Sequence, residues 1–257
     1  MKSMSSPHFS VYEYGRAEEQ DPERWSIYNT HDPFIFVDDG LYYSVSTDTK
    51  VDEEGRMQGG CQLRSSIDLI HWTWEGWLLD GVPDEAYEWT GAKGLWAPEV
   101  HKVGNRYYLY YCASRFGKNR SFIGLATSSS LKGEWTDEGE VFKTSYESAN
   151  NAIDPHIALS KESIPYLVYG SFFGGIYMSE IDQKSGKLKS YGSGKCIARR
   201  EFESKEGAVE GAFILFNREQ DMYYLFVSYD SLFSTYNIRV GRSNSIEVHT
   251  LIITGEI

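Results

Sequence analysis

Four segments of this sequence repeat one pattern: an acidic or proline-bearing head, an apolar strand-like run, a turn, and a Tyr-rich strand ending in a small residue. They are "HDPFIFVDDGLYYSVST" from His31, "APEVHKVGNRYYLYYCAS" from Ala97, "DPHIALSKESIPYLVYGS" from Asp154 and "EGAFILFNREQDMYYLFVS" from Glu210. With Asp32, Ala97, Asp154 and Glu210 taken as equivalent, the spacings are 65, 57 and 56 residues. Each copy continues with a third strand-like run: "CQLRSSIDL", "SFIGLATSSS", "GIYMSEID" and "YNIRVGRSNSI". The first three then add a polar-aromatic fourth: "HWTWEGWLL", "GEWTDEGEVF" and "KLKSYGSGKCIA". Asp39-Gly40, Gly104-Asn105 and Ser185-Gly186 supply turn signals.

Four strands per repeat, with almost no helical periodicity, predict an all-β chain built as the blades of a β-propeller. Residues 1–257 then form a single domain, with blades starting near residues 31, 96, 153 and 209. A β-sandwich would also account for the strands, but sandwiches rarely repeat themselves in this way.

Aromatic residues make up 15% of the chain, which suits both strand packing and stacking against sugar rings. The net charge of −12 argues against a nucleic-acid partner. Cys61, Cys112 and Cys196 are widely spaced without a CxxC pair, so neither a disulfide framework nor a zinc ribbon is expected. No run of eighteen apolar residues occurs, so no membrane partner is expected. The N-terminal stretch lacks an apolar signal core. Both a cytoplasmic location and export through a signal already removed are consistent with that.

In a propeller the first strand of every blade starts at one rim of the central tunnel, so equivalent heads converge. Three of the four heads carry acids: Asp32, Asp154 and Glu210. Ala97 in the second copy shows that the fold itself does not need an acid there. Converging carboxylates repel and raise one another's pKa, which costs stability unless it is used. Two uses fit. One is glycoside hydrolysis, with one carboxyl as acid and another as base. The other is a site for a hard cation.

The heads "HDP", "AIDP" and "VEG", with "LWAPEV", "GSFFGGIYM" and "STYNIRVGRS", resemble the arabinan-degrading members of glycoside hydrolase family 43. The resemblance covers residues from about 28 to 246, with several separate motifs in the same order. It implies a five-bladed propeller acting on α-1,5-linked arabinofuranose chains. By motif it implies Asp32 as the general base, Glu210 as the general acid, and Asp154 as the third acid, tuning Glu210 and touching the sugar. It also implies that Asn151, Ala152, Ile153, Ser171, Phe172, Phe173 and Gly117 line the substrate. Phe173 stands where many relatives carry Trp. Trp96 is a candidate sugar floor, Arg239 a candidate counter-charge to the acids, and His31 a polar neighbour of the site. Glu99 and His156 are read as structural. Exo-arabinanases, arabinofuranosidases and β-xylosidases of related fold share the three acids, and a sugar-binding propeller without turnover is the alternative outside the enzymes.

After "GRSNSIE" the chain reads "VHTLIITGEI", where relatives continue with a Gly-Pro-Tyr-x-Asp segment and a fifth blade. The codons GGT CCA TAC ACT GAT TAT AAC GGG encode Gly-Pro-Tyr-Thr-Asp-Tyr-Asn-Gly. Read one base later they give Val-His-Thr-Leu-Ile-Ile-Thr, as in the tail at residues 248–257. The expectation is a single-base frameshift near codon 248, with a natural short variant as the alternative, and a missing fifth blade whose open blade faces a homodimer covers. No cofactor is expected to be required, and no metal ligand is assigned. The family's axial calcium site draws a histidine from the missing region, so weak or no calcium binding is expected.

Overall fold

The structure, a computed structural model, describes residues 30–47, 60–200, 208–230 and 235–247. The tail at residues 248–257, and with it the frameshift expectation, lies outside the described residues.

The repeats fold as four antiparallel sheets in which strand order follows chain order. Blade 1 is β1 (Phe34–Asp38), β2 (Leu41–Ser46), β3 (Gly60–Ser66) and β4 (Thr73–Leu79). Blade 2 is β5 (Trp96–Val103), β6 (Arg106–Ala113), β7 (Phe122–Ser128) and β8 (Thr136–Lys143). Blade 3 is β9 (His156–Leu159), β10 (Pro165–Tyr169), β11 (Ile176–Glu180) and β12 (Lys195–Ala198). Blade 4 has three strands among the described residues: β13 (Val209–Asn217), β14 (Met222–Tyr229) and β15 (Asn237–Ser243).

Asp38 pairs with Leu41 across Asp39-Gly40, and both turn residues have positive φ, as a two-residue type I′ hairpin requires. One short helix, α1 (Asp84–Thr90), was not foreseen by the periodicity. Asp84 and Glu85 in its first turn complement the helix dipole, and Gly91 ends it at φ 65°. Trp89 ties it to blade 2 by donating from Nε1 to the Thr144 carbonyl at 3.0 Å.

The core lies between blades, in three layers. Tyr43, Val45 and Leu63 of blade 1 meet Leu109, Tyr111 and Phe122 of blade 2. Tyr110, Ile123 and Leu125 of blade 2 meet Ile157, Leu167 and Tyr169 of blade 3. Val168, Ile176 and Met178 of blade 3 meet Ala212, Ile214 and Leu225 of blade 4. A blade covered on both faces needs apolar residues on both, which is why β6 reads "RYYLYYCA" without a polar alternation.

The outer faces of the end blades differ. Ile35 and Val37 on β1 stay exposed, Val37 at 63%. On blade 4 the exposed row is Phe213, Leu215, Ile238 and Val240, with Ile238 at 70%. Strands apolar on both faces but covered on one mark a surface built to be packed against.

Candidate active site

Each blade head contains the same bulge. Trp96 pairs with Cys112 and Glu99 with Tyr110, so Ala97 and Pro98 face one residue of β6. Glu210 pairs with Ser228 and Phe213 with Phe226, so Gly211 and Ala212 do likewise on β13. The Thr47 N–H donates to the His31 carbonyl at 3.0 Å, and that of Gly170 to Ile153 at 2.9 Å, giving blades 1 and 3 the same count. The first bulge residue is left-handed in every blade: Asp32 (φ 47°), Ala97 (39°), Asp154 (55°) and Gly211 (59°).

This geometry corrects the alignment of the fourth head. The counterpart of Asp32 and Asp154 is Gly211, which makes the spacings 65, 57 and 57. Glu210 instead corresponds to His31, Trp96 and Ile153. Left-handed backbone costs a residue with a Cβ about 1–2 kcal/mol, and Asp tolerates it better than most. Blade 4 places glycine at the strained position and sets its acid one residue earlier, where the longer glutamate side chain makes up the reach.

The three acids meet in one cluster with different partners. Burial, then the charges of Glu210 and Asp32, push the Asp154 carboxyl well above its usual range, against the pull of the Gly211 N–H. That N–H reaches Asp154 Oδ2 at 3.1 Å. Ser171 Oγ donates to Glu210 Oε2 at 2.7 Å. Thr47 Oγ1 donates to Asp32 Oδ2 at 2.6 Å and accepts the Ala97 N–H at 2.8 Å.

Neighbouring blades are therefore joined head to head. The Ala97 amide is received by Thr47, the Asp154 backbone meets the buried Cys112 thiol, and the Gly211 amide is received by Asp154 itself. The last link differs because the residue opposite the blade 3 head is Gly170, where a Cβ would lie 2.2 Å from the Gly175 carbonyl oxygen.

The residues expected to line the substrate divide into two groups. Phe172 and Phe173 are exposed beside the cluster, in a loop held by the Phe172 N–H donating to Val209 of the blade 4 head at 3.0 Å. His31 and Gly117 are also exposed, Gly117 in a turn at φ 73°. Trp96 is half-buried at the blade 2 head, and its carbonyl accepts the Cys112 thiol. Asn151, Ala152, Ile153 and Ser171 are buried. Asn151 accepts from Ser121 Oγ at 2.6 Å, and the Ala152 N–H donates to Thr144 Oγ1 at 3.1 Å, so this segment supports the Asp154 head from beneath. Arg239 donates to Asn237 at 2.6 Å and lies over the Tyr229 ring.

Nearer the axis, buried Glu99 is bound by His101, by His156 Nδ1 at 2.8 Å and by the Ile157 N–H at 2.8 Å. His156 Nε2 faces the Ile214 carbonyl at 3.2 Å, and only the doubly protonated ring donates to both. Burial would raise the Glu99 carboxyl, but the two histidines outweigh it and hold it at about 2. Both Glu99 oxygens already accept N–H donors, so Glu99 itself is engaged by the histidines and the backbone. Among the described residues no group of three or more His, Cys, Asp or Glu is placed to hold a metal.

Two partners of the acids were not foreseen. Tyr236, just before β15, lies beside Glu210 and Ser228, and burial together with the Glu210 charge raises its hydroxyl pKa. Thr47 holds Asp32. A signal for Thr47 existed: with Cys112, Gly170 and Ser228 it occupies the small-residue place opposite each head.

Known proteins share this fold. The chain is 34% identical over 263 residues to an extracellular endo-α-(1→5)-L-arabinanase of Thermotoga petrophila, covering 90% of this chain and 52% of that protein. It thus spans about half the length of this curated relative. The solved arabinanase of Bacillus subtilis superposes with a TM-score of 0.77 at 31% identity, over 88% of this chain and 76% of that one. An arabinanase of Cellvibrio cellulosa, solved with arabinohexaose, superposes with a TM-score of 0.71 at 26% identity, over 85% of this chain and 72% of that one. Residues 26–249 match the model of glycosyl hydrolases family 43, and the chain belongs to that family.

Proposed function

We propose that this protein hydrolyses α-1,5-linked L-arabinofuranose chains internally and with inversion. The observation that carries the reading is the convergence of Asp32, Asp154 and Glu210 on one spot, each with its own partner. Asp32 is exposed and accepts the proton of the attacking water. Glu210 gives a proton to the glycosidic oxygen as its bond to the anomeric carbon breaks and the bond to water's oxygen forms. In inverting enzymes the two carboxyls stand about 6.5–9.5 Å apart to leave room for that water. Asp154, the third acid of the cluster, tunes Glu210 and faces the sugar at the cleavage point. The chemistry uses carboxyls and water and calls for no cofactor.

The exposed Phe172 and Phe173 give the sugars an apolar face, and half-buried Trp96 forms the floor. His31 and Gly117 border the cleft, and Arg239 balances the acids. The relatives' names support arabinan as the polymer. Incubation with linear arabinan tests the reading. A ladder of short arabino-oligosaccharides, released with inverted anomeric configuration, is expected. Arabinose alone would make the action exo, and a folded protein that leaves arabinan intact would reject the substrate.

The partner for the outer apolar faces is a second copy of this chain, related by a two-fold axis. Phe213, Leu215, Ile238 and Val240 form one continuous row on a single sheet, and an isologous contact pairs that row with itself. Sedimentation at micromolar concentration should give a dimer, and a monodisperse monomer refutes it. An extracellular location suits a polymeric substrate, and recovery of the protein from the culture fluid of its native host checks it. No described helix is long and apolar enough to cross a membrane.

A further inference from the structure

We infer that Thr47 is a positioning residue for the catalytic base, fixing one oxygen of Asp32 so that the other faces the attacking water. The inference rests on the hydrolytic reading of the three acids. A threonine hydroxyl has one proton to give, and here its destination is settled by the surroundings. Thr47 Oγ1 accepts the Ala97 N–H at 2.8 Å, so its own proton points to Asp32 Oδ2 at 2.6 Å.

The hydroxyl is itself held firmly. Thr47 is 7% exposed, its N–H donates to the His31 carbonyl, and its carbonyl accepts Gln62 Nε2 at 3.1 Å. The Ala97 amide comes from the next blade, so the clamp also sets the base relative to blade 2. Asp32 by contrast is exposed, on a left-handed backbone at the chain's entry to the blade. Free carboxylates turn about the bond to their carboxyl carbon and present either oxygen. With Oδ2 capped, Oδ1 is left as the proton acceptor, and water is the group it meets.

Thr47→Val removes the hydroxyl at nearly constant volume, and Thr47→Ser keeps it. Thr47→Val should lower kcat on linear arabinan about tenfold to hundredfold, with KM changed less than about twofold, as expected for a misplaced base. Thr47→Ser should stay within about threefold of the parent protein. Thr47→Ala carries the same test if Thr47→Val does not fold, as judged by circular dichroism.

A substrate with an activated leaving group separates the two sides of the site. On an aryl α-L-arabino-oligoside, which leaves without a proton, the Thr47→Val loss should persist. The loss in Ser171→Ala, which acts through Glu210, should largely disappear. Full kcat in Thr47→Val, or a loss that vanishes on the aryl substrate, overturns the inference.

The Ala97 amide gives a readout independent of turnover. Its proton resonance should move upfield and exchange faster in Thr47→Val but not in Thr47→Ser, and an unchanged amide overturns the clamp. If the parent protein cleaves neither substrate, the hydrolytic reading fails, and the amide still decides whether the clamp exists.

Discussion

Glu99 in blade 2 and Asp154 in blade 3 are both carboxylates that reach across to the next blade, and their environments drive them in opposite directions. Glu99 is held at about 2 although burial works against it, because two imidazoles and a backbone N–H converge on it. Asp154 is pushed well above its usual range, because burial is joined by Glu210 and Asp32 with only the Gly211 N–H opposing. Burial is common to both, so partners decide the outcome. An acid matched by donors holds blades together, whereas an acid packed against other acids stores free energy that folding alone would not select.

The sharpest way to break this contrast is to remove the proton donor proposed for the crowded side. Glu210→Gln should lower kcat on arabinan about 10³-fold, or ~4 kcal/mol of transition-state stabilisation. The loss should shrink on an aryl leaving group. Glu99→Gln should leave kcat within about threefold, and a comparable loss there would erase the division between the two acids.

Glu99→Gln should act on stability instead. Breaking a buried, donor-matched carboxylate costs on the order of 3 kcal/mol, roughly 6–12 °C in Tm for a chain of this size. The sign follows from linkage. Glu99 is lowered from 4.5 to about 2 in the folded state, so its contribution is complete above pH 4.5 and fades as pH falls toward 2. Melting curves of parent and variant should converge over that window, and a constant gap down to pH 2 would reject the pairing.

Asp154→Asn should show the reverse pattern. Its folded pKa lies above the ordinary 3.8, so the folded protein binds a proton that the unfolded chain releases. That carboxyl therefore costs stability increasingly as pH rises above 3.8. The variant should melt higher than the parent at neutral pH and equal it near pH 3, while kcat falls about 10²-fold. A variant that melts lower at pH 7 would mean that Asp154 is stabilised by partners as Glu99 is.

These two acids also show where sequence was readable. The repeat made the blades visible, because strands buried on both faces are apolar throughout, as in "RYYLYYCA", and each head carries its own turn chemistry. The acids at Asp32 and Asp154 were legible as heads of equal register. The one-residue displacement of Glu210 was not, since "IDP" and "VEG" align by charge. Only the left-handed backbone shows that Gly211 takes the place of the aspartates. Glycine is the residue that accepts that conformation without cost, so spacing read from Gly211 would have carried the correction. The clamps on the acids were less legible, because they join residues far apart in the chain. Thr47 meets Ala97 and Ser171 meets Glu210 only once blades have packed.

Tyr236 gives the smallest effect and the finest test of the crowded side. Its hydroxyl lies beside Glu210 and Ser228, yet the residue is 41% exposed, so solvent can replace part of what is lost. Tyr236→Phe removes the hydroxyl alone. It should lower kcat on arabinan about threefold to tenfold, the worth of one hydrogen bond made within the transition state. Melting temperature should move by less than about 3 °C. If the hydroxyl acts through Glu210, the loss should vanish on an aryl leaving group. It should also be less than additive with Ser171→Ala, since both hold the same carboxyl. Full additivity would place Tyr236 outside the acid's environment and leave Ser171 as the side chain that orients Glu210.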